Sequence, residues 1–247
     1  GITMFKVYQQ TQNLKMKLLK KVSKYHEVKN QRGMTLLEII IVLGIVGTIA
    51  AGVVVLAQRA FDSRAISDLV SNTNSIRIAA KEAYQRAPGY PAEAGTDSAN
   101  YTFESIKDAK ESTAIVARLV QLGKVSTDEA RNNISNNFIA ISGAMTVTGQ
   151  PATGLRGFVV ELNGLNQEQC RAVISQSGNL WDYVEVGVAA AGASSLTATP
   201  KNLAVEITDD SPILRSLHAD GNKNIKPDDI ATVCVDSPTN AVILGSR

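Results

Sequence analysis

Between Met34 and Ala57 the chain is apolar almost without interruption. Ile39 to Ala57 is a run of 19 residues without a charge, and the 24 residues from Met34 hold one charged side chain, Glu38. At about 1.5 Å per residue, 24 helical residues cover about 36 Å, enough to cross a bilayer core. Beyond the run the period changes. Phe61, Ala65, Ile66, Leu69, Val70, Thr73, Ile76, Ala80, Ala83 and Tyr84 recur at three- and four-residue spacing, with Asp62, Arg64, Asp68, Asn72, Lys81 and Glu82 largely between them. That is amphipathic-helix spacing. No proline falls between Met34 and Ala87, so the pattern predicts one helix from about Met34 to Arg86, stopped by Pro88-Gly89. Gly44, Gly47 and Gly52 weaken its first half by about 1 kcal/mol each and let helices approach closely.

The remaining pattern is shorter-ranged. The stretch from Pro91 to Asn100 is small and polar and reads as a loop. Ser112 to Leu122 reads as a helix ended by Gly123, and Ser126-Thr127-Asp128-Glu129 as a capping box. Strand-like runs follow at Phe138–Ile141, Gly157–Leu162, Tyr183–Val188, Leu203–Ile207 and Ala241–Leu244. Among them, Asn166 caps a helix to Ser175, Ser211-Pro212 starts another to about Leu217, and Pro227 opens a third that carries Cys234 near its end. Strands mixed with short helices over one long helix predict an α+β fold.

Charge divides the chain. The 247 residues carry a formal +2, but residues 1–33 alone hold +7 and the rest −5. A basic head that ends at an apolar span reads as positive-inside orientation rather than a nucleic-acid arm, so the head stays cytoplasmic and the body is exported. Export to an oxidising compartment pairs Cys170 with Cys234; without export they are two buried thiols. Their closure would constrain 65 residues, a constraint of about 4 kcal/mol in the chain-entropy model. A cleaved secretory signal would leave a small-residue site near Ala50-Ala51-Gly52, but the leader and the run are too long for one. A plain signal anchor accounts for the span and leaves Glu38 unexplained.

A cut between Gly33 and Met34 explains it. The cut removes all eight basic residues of the head and exposes an α-amine at Met34, largely charged at neutral pH. Glu38 then lies four residues away in the same low-dielectric layer. An acid in mid-bilayer costs about 2.5–3.5 kcal/mol on insertion scales, and an ammonium of the same or a neighbouring chain offsets that. Such a pair sets register between packed helices better than it adds stability.

The residues from Gly33-Met34-Thr35-Leu36-Leu37-Glu38 to Ile45 resemble the processing site and N-terminal helix of type IV prepilins. The long basic leader and Met34 in place of Phe resemble the type IVb branch. The stretch from Gly52 to Ser63 is similar to major pilins of enteric colonisation pili: the toxin-coregulated pilin, longus and colonisation factor antigen III. The resemblance is strong to about Arg86 and patchy after it. It implies a type IV pilin fold, with a protruding hydrophobic half-helix and an amphipathic half packed on an antiparallel-rich sheet with short helices. It implies a leader at 1–33, a membrane and filament-core helix at 34–57, and an exported head at 58–247 with its helix at 58–86 and a disulfide-closed region at 170–234. It implies cleavage after Gly33 by a prepilin peptidase, N-methylation of Met34, assembly through Glu38, and an exposed, variable disulfide region. Met4 is then a plausible start and the chain an unprocessed precursor.

Nothing points to catalysis. His26 and His218 are the only histidines, and no nucleophile elbow, phosphate loop, zinc motif or dinucleotide fingerprint is present. Asp209-Asp210 is a local acid pair. Asp220-Gly221-Asn222-Lys223-Asn224 begins like a calcium loop, but Ile225 replaces the required Gly and Ala231 the bidentate Glu, so it reads as a polar turn. Trp181 reads as core. The expectation is a structural subunit with no cofactor or metal. It resides in the inner membrane as a precursor and then in an extracellular pilus of a Gram-negative bacterium. Its partners are itself, the peptidase, the assembly machinery and a minor pilin. Its role is adhesion, self-association and host colonisation. The alternatives are a type II secretion pseudopilin and a membrane-anchored periplasmic binding protein or enzyme.

Overall fold

The structure, a computed structural model, describes residues 2–26 and 32–247. The side chains of Met34 and Phe61 lie outside the described residues. The chain divides into two compact units, Gly1–Ala60 and Phe61–Arg247.

The first unit holds helix α1, Ile2–His26, and the start of α2, Arg32–Ala83. The hydropathy pattern assigned no element to the basic head. It is helical because its 25 residues contain neither Gly nor Pro and are rich in Lys, Leu, Gln and Met. Helix α2 runs 52 residues without a break, about 78 Å. It ends three residues before the expected Arg86. Tyr84 N–H still reaches Ala80 O at 3.1 Å, but Ala87 N–H reaches only Tyr84 O at 3.2 Å, a tightened turn ahead of Pro88.

In the second unit a six-stranded sheet has the order β4-β1-β2-β6-β3-β5. The strands are β1 Ala140–Met145, β2 Gly157–Leu165, β3 Tyr183–Val188, β4 Lys201–Asn202, β5 Ile213–Arg215 and β6 Asn240–Ser246. All neighbours are antiparallel except β1 and β4. Alternation sends Phe158, Val160, Val184, Val242 and Leu244 to one face and Val159, Tyr183 and Ile243 to the other. The first face is covered by Leu69, Ile76 and Ala80 of α2, by α4 (Ile115–Gln121) and by α5 (Gln167–Ser177). The second is covered by the irregular segment after β3, through Leu196, Leu203, Val205 and Leu217.

Local signals decided much of this. Helix α4 ends as Gly123 implies: at φ +70° its N–H donates to Val120 O and Lys124 N–H to Leu119 O, a Schellman motif. Ser126 and Glu129 exchange the two hydrogen bonds of a capping box. Asn166 and Gln169 do the same at α5.

Three expectations fail. The stretch to Asn100 contains a short helix, α3 Thr96–Asn100, closed by Asn100 Nδ2 donating to Thr96 O at 2.8 Å. Leu203–Ile207 is not a strand. Its apolar alternation fits the second face, but its backbone bonds are single contacts to Met145 and Leu217 rather than a ladder. Ser211-Pro212 opens no helix: Pro212 O accepts from Val186 N–H at 3.0 Å and the next residues form β5 at the sheet edge, where a proline is tolerated.

Candidate functional site

Gly33 and Met34 lie in the first turn of α2, and Glu38 follows one turn later. Positions four apart share a face of a helix and are separated by about 6 Å of rise. The Glu38 carboxylate sits on the exposed surface of α2. From Thr35 to Val54 mean hydropathy is 2.5 and no residue is buried. Leu36, Leu43 and Ile49 are each more than 60% exposed. An apolar surface of this kind is stable only against lipid or other apolar helices. The chemistry available here is association, with one acidic side chain, Glu38, inside the apolar stretch from Thr35 to Val54.

Cys170 of α5 and Cys234, which caps α6 (Pro227–Val233), form a disulfide with Cα atoms 6.0 Å apart. Both are buried in the main core. Pro227 fixes the first turn of α6, and Asp228 and Asp229 face the positive end of its dipole. Gln167 Nε2 donates to Cys234 O at 3.0 Å and Arg171 Nη2 to Ala231 O at 2.5 Å, so α5 holds α6 by hydrogen bonds as well.

Residues 220–224 form a turn. The Arg215 guanidinium donates to Asn222 Oδ1 at 3.2 Å and to Lys223 O at 2.9 Å, placing a cation where calcium would need those oxygens. Asp209 and Asp210 are brought beside Asp229 along a groove of about 490 Å³ between β5 and α6. Trp181 is 1% exposed, edge-on to Phe158, with the Arg77 guanidinium 4.9 Å from its ring centre.

Sequence reasoning missed two buried carboxylates on the second face. Glu161 accepts from Ser194 Oγ at 2.6 Å, from Ser195 N–H at 2.8 Å and from Ser195 Oγ. Glu185 accepts from Tyr183 O–H at 2.6 Å and pairs with Lys201 Nζ at 2.7 Å. Burial pushes the Tyr183 phenol well above its usual range, and the Glu185 charge adds to that. Burial also raises Glu93, although the Ile115 N–H bond opposes it. The available signal was a lone acid within each apolar strand, as in Phe158-Val159-Val160-Glu161.

Known proteins resemble this chain in sequence and in fold. The family model described as Toxin-coregulated pilus subunit TcpA matches residues 118–239, and the prokaryotic N-terminal methylation motif matches residues 28–54. A toxin coregulated pilin of Vibrio cholerae is 34% identical over 219 residues, covering 85% of this chain and 89% of the relative. The chain belongs to the toxin-coregulated pilin family. A toxin coregulated pilin from Vibrio cholerae serotype O1 (strain ATCC 39315 / El Tor Inaba N16961) is 37% identical over 180 residues, with coverages of 69% and 72%. The pilin fold is similar to the crystal structure of TcpA, a type IV pilin from Vibrio cholerae El Tor biotype. There the TM-score is 0.58 at 21% identity, over 74% of this chain and 99% of that one. This pilin is a type IVb pilus subunit, with the α+β architecture of its fold class.

Proposed function

We propose that this pilin is a precursor that a membrane peptidase cuts after Gly33, that Met34 is then N-methylated, and that α2 carries the subunit from the bilayer into a filament core. Residues 1–33 act as the cytoplasmic leader, 34–57 as the span and core helix, and 58–247 as the exported head. The observation that carries this is an apolar helix from Thr35 to Val54 with no buried residue, headed by Gly33-Met34 and containing one acid. Before assembly its surface is satisfied by inner-membrane lipid, and afterwards by copies of itself. The methyl group leaves the Met34 amine positively charged, so the Glu38 carboxylate of one copy receives the amine of the next and fixes their axial offset. The contact is head to tail and does not close, so it grows a fibre. The fibre serves adhesion, self-association and colonisation by a Gram-negative bacterium. The precursor engages the peptidase, the assembly machinery and a minor pilin.

The test is direct. Mass spectrometry of surface fibres is expected to give N-methyl-Met34 as the first residue. Glu38→Ala is expected to insert in the membrane, to be cut, and to yield few or no fibres. Fibres in wild-type number from that variant refute the pairing, and a product that retains residues 4–33 refutes the processing.

A further inference from the structure

The removed leader has a structure of its own to account for. Helix α1 has six lysines and no acidic residue over 25 positions. Met4, Val7, Tyr8, Thr11 and Leu14 recur at helical spacing along one side, and the same spacing continues in sequence at Leu18, Val22 and Tyr25. Lys6, Asn13 and Lys17 fall on the opposite side, with Gln10 at the edge of the apolar side and Phe5 and Met16 between the two. Met4, Val7, Tyr8 and Leu14 are each at least 60% exposed. The hydroxyl of Thr11, the polar group in the middle of the apolar side, bonds back to Val7 O at 2.8 Å and so presents its methyl group outward. Lys15 and, further along the sequence, Lys21 are the charges at that spacing, and a four-carbon stem is long enough to carry an ammonium outward.

We propose that α1 lies flat in the cytoplasmic interface of the membrane, its apolar side against the edge of the acyl chains and its lysines on anionic lipid headgroups. The inference rests on the pilin reading, because it takes the following span as membrane-inserted. Two observations select lipid as the occupant. The first is charge: six lysines without an acid repel one another along the helix and call for a dense anionic surface. The second is covalent reach. The span begins at Thr35, nine residues after His26, so the end of α1 stays within about 30 Å of the bilayer even if the link is fully extended. A helix with an apolar side and a lysine-rich polar side, held that close, partitions into the interface. The leader then does more than orient the span. It holds the chain just before Gly33 at the depth at which a membrane peptidase works.

The experiment uses the full precursor, reconstituted with its peptidase in vesicles of phosphatidylcholine alone or mixed with phosphatidylglycerol. Spin labels are placed through Val7→Cys, Leu14→Cys, Asn13→Cys and Lys17→Cys in separate samples, without reductant so that the native disulfide is kept. With phosphatidylglycerol, the labels at positions 7 and 14 are expected to collide several-fold more often with dissolved oxygen than with a water-soluble nickel chelate. Those at 13 and 17 are expected to show the reverse. In phosphatidylcholine alone the contrast is expected to collapse. Four labels equally open to the chelate in both vesicle types overturn the inference. So does a contrast that does not depend on phosphatidylglycerol, or one that appears only when another assembly protein is added. Cleavage after Gly33 is read in the same vesicles. Its persistence with uniform labels sinks the interfacial helix and leaves the pilin reading standing, whereas its absence counts against the pilin reading itself.

Discussion

Glu161 on β2 and Glu185 on β3 occupy one cross-strand row, on either side of Ile243 of β6, and both are buried under the same irregular segment. Their partners differ. Glu161 is satisfied by Ser194 and Ser195, whereas Glu185 is satisfied by the Lys201 ammonium and the Tyr183 hydroxyl. The two acids therefore fasten the covering segment at two points, residues 194–195 and 201. Lys201→Met leaves Glu185 buried with one neutral donor and is expected to cost about 2 kcal/mol, less than for a fully enclosed pair because Lys201 keeps some solvent contact. Adding Glu185→Gln to that variant should recover part of the loss. Urea unfolding followed by the fluorescence of Trp181 measures both, and equal stability of the single and double variants would show that the pair is idle.

Tyr183 gives the head a defined alkaline limit. Its phenol is held well above the usual value near 10, so above pH 10 the folded state keeps a proton that the unfolded state has released. Stability from this group is whole below pH 10 and falls as pH rises beyond it, by about 1.4 kcal/mol per pH unit for one such group. Tyr183→Phe should lower stability at pH 7, through loss of the Glu185 bond, yet flatten the decline above pH 10. Denaturation midpoints measured from pH 7 to alkaline conditions, with tyrosinate absorbance as a second readout, test this. A decline of unchanged steepness assigns it to other groups.

The disulfide is the largest single constraint on the head. Reducing it, or replacing Cys170 and Cys234 by Ser together, is expected to cost about 4 kcal/mol from loop entropy in the unfolded chain. The α5–α6 hydrogen bonds from Gln167 and Arg171 involve neither sulfur and are expected to persist in the reduced head. Comparing thermal unfolding of oxidised and reduced protein checks the size, and a loss below about 1 kcal/mol would mean that those bonds already do most of the fastening.

Gly143 lies on β1 with its N–H on Pro91 O at 2.7 Å, where the chain after α2 crosses the strand. A Cβ there would stand 2.4 Å from Tyr90 O and 2.9 Å from Pro91 O, both backbone atoms. Gly143→Ala is therefore expected to cost about 3 kcal/mol. Gly149→Ala meets no atom within 4 Å but must adopt φ +84°, so it should cost about 1 kcal/mol from backbone strain alone. Urea midpoints that rank the two in the opposite order would disprove the crossing as the cause.

What the residues disclosed in advance follows the range of the forces involved. Helix α2 was legible because a 20-residue apolar run and an unbroken amphipathic repeat are strong local signals. Helix α5 was legible because Asn166 and Gln169 name its first turn. Helix α1 was not legible because its lysines interrupt the apolar spacing by which a helix is recognised. Strand β5 was misread because Ser211-Pro212 is a sound helix start locally, and what decides the segment is Val186, a residue 26 positions earlier whose N–H needs Pro212 O. Glu161 and Glu185 could be seen as lone acids in apolar strands, but nothing local tells which serines or lysine will meet them. At the candidate site, Gly33, Met34 and Glu38 could be named from a motif of six residues, whereas the row of acids beneath the covering segment exists only once three strands are in register.

Strand β6, the most C-terminal element, lies in the middle of the sheet, between β2 and β3. Before residues 240–246 arrive, β1 with β2 and β3 with β5 are separate pieces with no ladder between them. Joining the two halves therefore requires contacts between residues far apart along the chain, and the docking of 240–246 is the step that commits the whole sheet.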